Sequence, residues 1–414
     1  MTTIVLKPKK EEAILRFHPW VFSGAIQKIV LDKNYPYAEP QEGELVKIVD
    51  FNGKILGVGH YQIGSIAIRI LAFGTDTLPG DFFEQRLRAA YQMRQAINLI
   101  REDNNTYRLV HGEGDSLPGL VIDIYADTAV VQAHSIGMHL CRQTIAEAII
   151  KVIKEVKNVY YKSDDTLPFK AEIEGEKMGY LIKEEGKKEK GGVFWATENG
   201  LDFRIDWLRG QKTGFFIDQR ENRALLERYA KGKDVLNMFC YTGGFSVYAL
   251  RGGAKSVDSV DVSEKAIDLV NENVARNFSP TPLHPYPPTP NTRHHAYAKE
   301  AFEFMADIKD KYDLIILDPP AFAKHRDAIK NALRGYQRLN AKGIEQIRPG
   351  GILFTFSCSQ AIDKEMFRLA VFSAAAQVGR KVRILHQLHQ PQDHPINIFH
   401  PEGEYLKGLV LQVE

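Results

Sequence analysis

"DVLNMFCYTGGFSVYALRGG", residues 234–253, decides the fold. An apolar run ends at Phe239, Gly243 and Gly244 follow, and a helical apolar pattern then closes on Gly252 and Gly253. A buried strand that turns sharply into a helix N-terminus produces this order, because glycines let the backbone bend and approach a ligand. The same texture extends outward from about residue 191. "SVDSVDV" reads as a strand, "EKAIDLVNENVARN" as a helix and "YDLIILD" as a strand. "DAIKNALRGYQRLNAKGIEQI" is a long helix, "GILFTFS" a strand and "DKEMFRLAVFSAAAQVG" a helix. Such alternation specifies an α/β unit with a parallel sheet covered on both faces. "KVRILHQL" and "EYLKGLVLQVE" close the chain as two antiparallel strands. Between the second helix and the third strand, the prolines of "SPTPLHPYPPTPNTRHH" forbid regular structure and predict a surface loop, with an insertion at 279–291.

Upstream, the pattern changes twice. Residues 1–75 read as β-rich: "GELVKIVDFNGKILGVGHY" is a hairpin about Asn52-Gly53, and "SIAIRILAF" is a further alternating strand. Residues 76–190 read as a compact α+β unit. It has a helix in "FFEQRLRAAYQMRQAINLI", two strands in "GLVIDIYADTAVVQAHS", a helix in "CRQTIAEAIIKVIKEV" and a strand in "NVYYKS". The charged run "KEEGKKEKGG" predicts an exposed hairpin tip. With residues 191–414 these make three domains, as the length of 414 residues allows.

Composition excludes several classes. No apolar run reaches the ~18 residues of a membrane span, and the N-terminus lacks the pattern of a secretory signal. Cys141, Cys240 and Cys358 are widely spaced with no C-x-x-C pair, which argues against structural zinc and disulfides and fits a reducing cytoplasm. Net charge is only +2, so a nucleic-acid partner has to be met by local basic patches.

In open α/β sheets ligands bind beyond the carboxyl ends of the strands, and three strand ends here carry suggestive residues. Besides Gly243 and Gly244, Asp261 ends the second strand about 20 residues on, where a carboxylate can take ribose hydroxyls. Asp318 leads "LDPPAF", whose prolines stiffen the loop. No phosphate-binding lysine follows the glycines, so the set suits S-adenosylmethionine better than a dinucleotide. "FTFSCSQ" (354–360) then puts Cys358 on the same rim. A thiolate beside a methyl donor points to methylation of a pyrimidine at carbon 5, with transient addition to carbon 6. A cysteine that merely packs is the alternative.

The chain resembles the bacterial large-subunit ribosomal RNA cytosine-C5 methyltransferases that carry an N-terminal PUA domain. The likeness lies in "LRFHPWVFSGAI", "RLVHGEGDSLPGLVIDIY", "GQKTGFFIDQRENR", "NMFCYTGGFSVYAL", "DVSEKAIDLVNENVARN", "LDPPAFAK", "FSCSQ" and "HPEGEYLKG", in that order. It implies a class I, Rossmann-like methyltransferase domain behind the PUA and central α+β domains. It implies Cys358 as nucleophile and Asp318 as the acid that holds the base. Phe239, Tyr241, Thr242, Gly243, Gly244 and Phe245 would wrap the methionine end of the cofactor. Asp261 and Val262 would meet the ribose, Asp318 and Pro319 would border the cofactor, and Asp218, Gln219 and Arg220 of "GQKTGFFIDQRENR", with Lys212, would form the floor. Glu300 and Ala301 would face the adenine, with Glu300 replacing the family's usual aspartate. A related branch with a second cysteine after its DPP-like motif is not matched, since Ala321 and Phe322 stand there. Guanine N7 methylation on the same fold, or a non-catalytic ribosome assembly factor, are the competing readings.

A PUA domain implies RNA contact, for which Lys7, Lys9, Lys10, Arg16, Trp20 and Arg69 are candidates, with Lys324 beyond the DPP motif. A solvated charged face, with Trp20 in the core, is the bland alternative. "HQLHQPQDH" offers His386, His389, Asp393 and His394, but its spacing lacks the helical i, i+4 pairing of metal sites, so a polar loop near RNA is expected and no metal. Ribosomal RNA as partner, a cytoplasmic location and an open question of homodimerisation complete the expectations.

Overall fold

Strands that lie in the middle of a parallel sheet are apolar on both faces, and Leu314–Leu317 fits, with all four residues fully buried. The computed structural model describes residues 1–168, 175–184, 194–278, 293–323 and 326–414. The predicted tip after Glu184, the insertion at 279–291 and Lys324 lie outside them. The chain forms two compact units. One comprises Met1–Thr197, Ile205–Phe215 and Gln392–Gly403; the other comprises Glu198–Arg204, Phe216–Pro391 and Glu404–Glu414.

The first unit holds two sheets. Six strands order as Trp20–Phe22, Ile66–Phe73, Ile55–Tyr61, Leu45–Val49, Thr3–Leu6 and Ile26–Val30. All pair antiparallel except Thr3–Leu6 with Leu45–Val49. The hairpin read about Asn52-Gly53 is present, with Gly53 at φ 85°. The second sheet has five strands, Met178–Ile182, Asn158–Lys162, Thr128–Ala133, Leu120–Tyr125 and Thr106–His111. Helices Phe82–Ala96 and Arg142–Val152 bury Leu87, Ala90, Ile145 and Ile149 in a core shared with it.

The second unit is built on seven strands. In spatial order they are Arg293–Ala298, Ser256–Asp261, Asp234–Met238, Leu314–Leu317, Gly351–Ser357, Lys407–Val413 and Val382–His389. The first five are parallel; Lys407–Val413 is antiparallel to both its neighbours, so Val382–His389 runs in the same direction as the first five. The order reverses between Asp234–Met238 and Leu314–Leu317, and ligands of such sheets bind at that crevice. Two clusters cover the sheet, one around Tyr336, Leu339 and Phe367, the other around Leu226, Ala249 and Phe354. Among the described residues no helix is long and apolar enough to cross a membrane.

Arg293–Ala298 corrects one expectation, because "RHH" opens an edge strand and is not part of the proline loop. Its first three residues, Arg293, His294 and His295, are polar and none of the six is fully buried, so it lacks the apolar run that marks its neighbours. In the predicted polar loop Asp393 and His394 are buried; Asp393 Oδ2 accepts from Arg108 N–H at 2.9 Å, and its carbonyl accepts from Arg94 Nη2 at 2.7 Å.

Within the second unit a buried ion pair stiffens the helix that follows the "GQKTGFFIDQ" turn. Arg223 donates from Nε and Nη2 to Glu198 at 2.9 and 2.7 Å, and Tyr248 hydroxyl donates to the same carboxylate at 3.0 Å. Removing one partner leaves the other charge uncompensated, a loss of about 3–5 kcal/mol. Glu198→Ala is therefore expected to lower the melting temperature by on the order of 10 °C. A calorimetric scan checks this, and an unshifted transition would contradict it.

Candidate active site

The turn after Asp234–Met238 forms the first wall. Phe239 and Tyr241 both have left-handed backbone, φ 58° and 46°, and Gly243 follows at 78°. A non-glycine residue there costs about 1–3 kcal/mol, so neighbours must impose it. Cys240 N–H donates to Val260 carbonyl at 3.0 Å, Tyr241 N–H to Asp261 Oδ2 at 3.0 Å, and Asn273 Nδ2 to Thr242 carbonyl at 2.8 Å. These bonds tie the turn to the second strand and to the helix beyond it. Asp261 Oδ1 accepts from Ser263 N–H at 3.0 Å, so each carboxylate oxygen holds one backbone bond and keeps acceptor capacity for a hydroxyl.

A methyl group at Gly243 would lie 3.0 Å from Val270 Cγ1, on a backbone that L side chains disfavour. Gly243→Ala is expected to displace the turn and weaken S-adenosylmethionine binding about tenfold, the equivalent of ~1.4 kcal/mol. Titration calorimetry reads this directly. Unchanged affinity would remove the turn from the cofactor site.

The second wall joins Asp318, Gln219 and Asp218. Asn222 Nδ2 donates to Gln219 Oε1 at 2.7 Å, which orients the amide so that Nε2 donates to Asp318 Oδ2 at 3.0 Å. Asp218 Oδ2 accepts from Tyr405 hydroxyl at 2.7 Å, whereas its Oδ1 is buried without a hydrogen-bond partner. Gln219 is the N-cap residue of the helix Arg220–Ala230. Burial first, and then the Asp218 carboxylate, push Asp318 up to about 7.

Cys358 lies past the end of the neighbouring strand, half-buried and unpaired with any other cysteine. Leu317 pairs with Thr355 across the two strands, so Asp318 and Cys358 leave the sheet at the same rim. The turn beneath the thiol is held from three sides. Ser359 Oγ meets Tyr336 hydroxyl at 2.9 Å and accepts from Ala323 N–H at 3.3 Å, and Ser359 carbonyl accepts from Lys407 Nζ at 2.6 Å. Burial, followed by the Asp318 and Asp218 carboxylates, pushes the thiol up to about 12, while Lys407 pulls it down. In the resting protein Cys358 is a thiol, and its activation requires that a proton be taken.

S-adenosylmethionine fits this donor set. Its sulfonium and ammonium are cationic and the site offers Asp218, Asp318 and Asp261; the unpartnered Asp218 Oδ1 is an acceptor waiting for a donor. Gly243, Gly244 and Tyr241 would bound the methionine end, and Asp261 would take the ribose.

Other expected residues are placed differently. Phe245 packs in the core against Phe356, ring centroids 5.6 Å apart, and supports the turn from beneath. Phe239 is half-buried, Thr242, Ala301 and Pro319 are buried, and Val262 is the most exposed of the set. Glu300 caps the short helix Ala301–Phe304, its Oε2 accepting from Glu303 N–H at 2.9 Å, with the other oxygen left over. Arg220 is buried, with Nε 3.3 Å from Glu221. Lys212 is exposed and belongs to the first unit.

In the first unit Trp20 and Arg69 are direct cross-strand neighbours. Trp20 Nε1 donates to Glu113 at 2.8 Å, its ring meets His400 at 4.2 Å, and Arg69 Nη1 donates to Gln62 at 2.9 Å. Both are half-buried, whereas Lys7, Lys9, Lys10 and Arg16 are exposed. His18, His400 and Glu402 bring ligand-type atoms within 4.8 Å of one another. His18 Nδ1 lies 3.2 Å from the Trp20 N–H and 3.4 Å from the Trp20 carbonyl, and Nε2 lies 3.6 Å from Glu402. The four residues of "HQLHQPQDH" divide between the units: His386 pairs with Tyr229 hydroxyl at 2.8 Å and His389 with Gln390 carbonyl at 2.7 Å in one, while Asp393 and His394 belong to the other.

Comparison with known proteins identifies the family and the fold. Residues 189–401 match the S-adenosylmethionine-dependent methyltransferase family and residues 4–73 match the PUA-like domain. A protein of Tolumonas auensis is 38% identical over 416 residues, and one of Shewanella frigidimarina is 38% identical over 422, each alignment covering 99% of both chains. Both carry the name ribosomal RNA large subunit methyltransferase I. Among solved structures, a methyltransferase complexed with SAH superposes with a TM-score of 0.80 at 22% identity, covering 100% of both chains. A SAM-dependent methyltransferase from Streptococcus mutans gives 0.79 at 22%. At that identity they establish the fold.

Proposed function

The chain belongs to the S-adenosylmethionine-dependent methyltransferase family with a PUA-like N-terminal domain, and from that membership we propose that it forms 5-methylcytosine in the ribosomal RNA of the large subunit. Cys358 is the nucleophile and Asp318 the proton-handling group. The observation that carries the reading is a half-buried thiol on the same sheet rim as an aspartate raised to about 7, beside the cofactor turn.

The cofactor, when bound, supplies an electrophilic methyl group; the chain's own residues make the acceptor carbon nucleophilic. Cys358 Sγ bonds to carbon 6 of the cytosine as the 5,6 double bond opens. Asp318 Oδ2 is engaged by Gln219, so Oδ1 faces the base. It takes the thiol proton and passes it to ring nitrogen N3, which neutralises the charge that would otherwise build on the ring. After methylation the proton on carbon 5 leaves to water or a base, the 5,6 double bond re-forms as the C6–S bond breaks, and the N3 proton returns through Asp318 to the departing thiolate.

Domains at 1–75, 76–190 and 191–414, RNA contact through the exposed Lys7 and Arg16 with Trp20 and Arg69 nearby, and a cytoplasmic location belong to the same reading. The test is incubation with methyl-labelled S-adenosylmethionine and large-subunit ribosomal RNA from cells lacking the activity, followed by digestion to nucleosides. Label in 5-methylcytidine is expected. Label in a methylated guanosine, or none, would sink the proposal.

A further inference from the structure

A lysine ammonium strongly prefers water, and a buried one ordinarily sits against a carboxylate. Lys407 does neither. Its side chain is 5% exposed, and Nζ donates to two backbone carbonyls, Ser359 at 2.6 Å and Tyr405 at 2.7 Å. Among the described residues no carboxylate hydrogen-bonds to it. The strand register explains how it comes to be there: Lys407 pairs directly with Ser357, the residue before Cys358, at the end of two antiparallel strands. One cation therefore holds the residue that follows the thiol, and its charge acts on the thiol as well.

We propose that Lys407 is the positioning residue of Cys358, fixing the 357–359 turn through the Ser359 carbonyl and supplying the positive charge against which the thiolate forms. This rests on the reading of Cys358 as the nucleophile. Asp318, Asp218 and the Tyr336 hydroxyl side of the turn surround the thiol, and both carboxylates oppose its ionisation. Around Lys407 stand Glu404 and Asp363, which favour its charge, and Lys364, which opposes it. Burial brings the ammonium down to about 8, close to where the chemistry needs it still charged. A neutral donor would serve the two carbonyls without the cost of desolvating a charge, so the ammonium's charge is what the thiol uses.

The test follows iodoacetamide alkylation of Cys358 in the full chain, by peptide mass spectrometry, from pH 6.5 to 10, without RNA or cofactor. Cys141 serves as internal reference. Lys407→Gln retains a donor for the carbonyls but not the charge, Lys407→Met retains neither, and Lys407→Arg retains both. At pH 8 the Gln and Met variants are expected to react about tenfold more slowly than wild type at Cys358, as loss of a nearby opposite charge predicts, with Cys141 unchanged. The Arg variant should stay within about threefold of wild type. Wild type should also rise less steeply with pH above about 8, as Lys407 loses its proton, and the Arg variant should remove that flattening. This last comparison decides the matter if the uncharged variants fail to fold. Equal rates in wild type and a folded Gln variant, or identical pH profiles in wild type and the Arg variant, overturn the proposal. Because neither RNA nor cofactor enters, the result is independent of whether Cys358→Ala still methylates cytosine.

Discussion

Replacing Cys358 with alanine is expected to lower 5-methylcytidine formation by roughly 10⁴-fold or more, because no other group can open the 5,6 double bond once the nucleophile is gone. The structure makes the loss chemically interpretable. Cys358 packs only partly into the core around Phe354 and Phe356, and the turn that carries it is held by Ser359 and Lys407 instead of by the sulfur. Deleting one sulfur there should cost about 1 kcal/mol of stability or less. S-adenosylmethionine affinity, read by calorimetry, should stay within about twofold of wild type. A serine variant should be equally inactive, since its hydroxyl is a far poorer nucleophile at the same position. A variant that keeps both cofactor binding and label in 5-methylcytidine would reduce Cys358 to a packing residue; label in a methylated guanosine would instead return the guanine N7 reading to consideration.

How much of this site could be seen beforehand depends on how local each feature is. The glycine pair, Asp261, Asp318 and Cys358 are legible because each ends an apolar run, and a strand end is a local event. The left-handed Phe239 and Tyr241 are not, because aromatic residues carry no mark of positive φ; the conformation comes from Val260, Asp261 and Asn273, which arrive later in the chain. The core packing of Phe245 is hidden for a related reason. Adjacent to the glycines in sequence, it is turned by the first step of the helix into the sheet core. Lys407 could be found only through the register of Ser357 with the last-but-one strand in space, a pairing of residues 50 apart in number. The strand Arg293–Ala298 was missed since edge position removes the need for apolar residues on both faces. Likewise "QDHPINIFHPEG" has the polar, proline-broken look of an exposed loop, yet Gln392–Gly403 joins the first unit, and Asp393 spends its carboxylate on a backbone N–H of the strand Thr106–His111.

Asp318→Asn should separate stability from activity. The carboxyl is raised to about 7 in the fold against an ordinary 3.8, so between about pH 4 and pH 7 the native state binds more protons than the unfolded chain. Stability contributed by this position is therefore greatest below pH 4, falls as pH rises through that window, and is lowest above 7. Asparagine cannot ionise, and its carbonyl can accept the Gln219 amide as Oδ2 does. At pH 8 the variant should be more stable than wild type by on the order of 1–2 kcal/mol, or a few degrees in melting temperature. At pH 4 the advantage should vanish. Activity should move the other way, falling by about 10²–10⁴-fold with the loss of proton transfer. The wild-type pH profile carries the same signature. A thiol near 12 and a carboxyl near 7 acting together give a rate that climbs about tenfold per pH unit in the acid range and levels near pH 7, because an ionised Asp318 facing a neutral thiol is the reactive pair. Asp318→Asn should erase that rise and leave only the shallow residue of direct thiol ionisation. Melting curves at the two pH values, with methylation rates from pH 5 to 9, test both halves. An equal stability gain at pH 4 and pH 8 would mean that Asp318 is not strained by its charge, and an unaltered pH profile would mean that it is not the group that moves the proton.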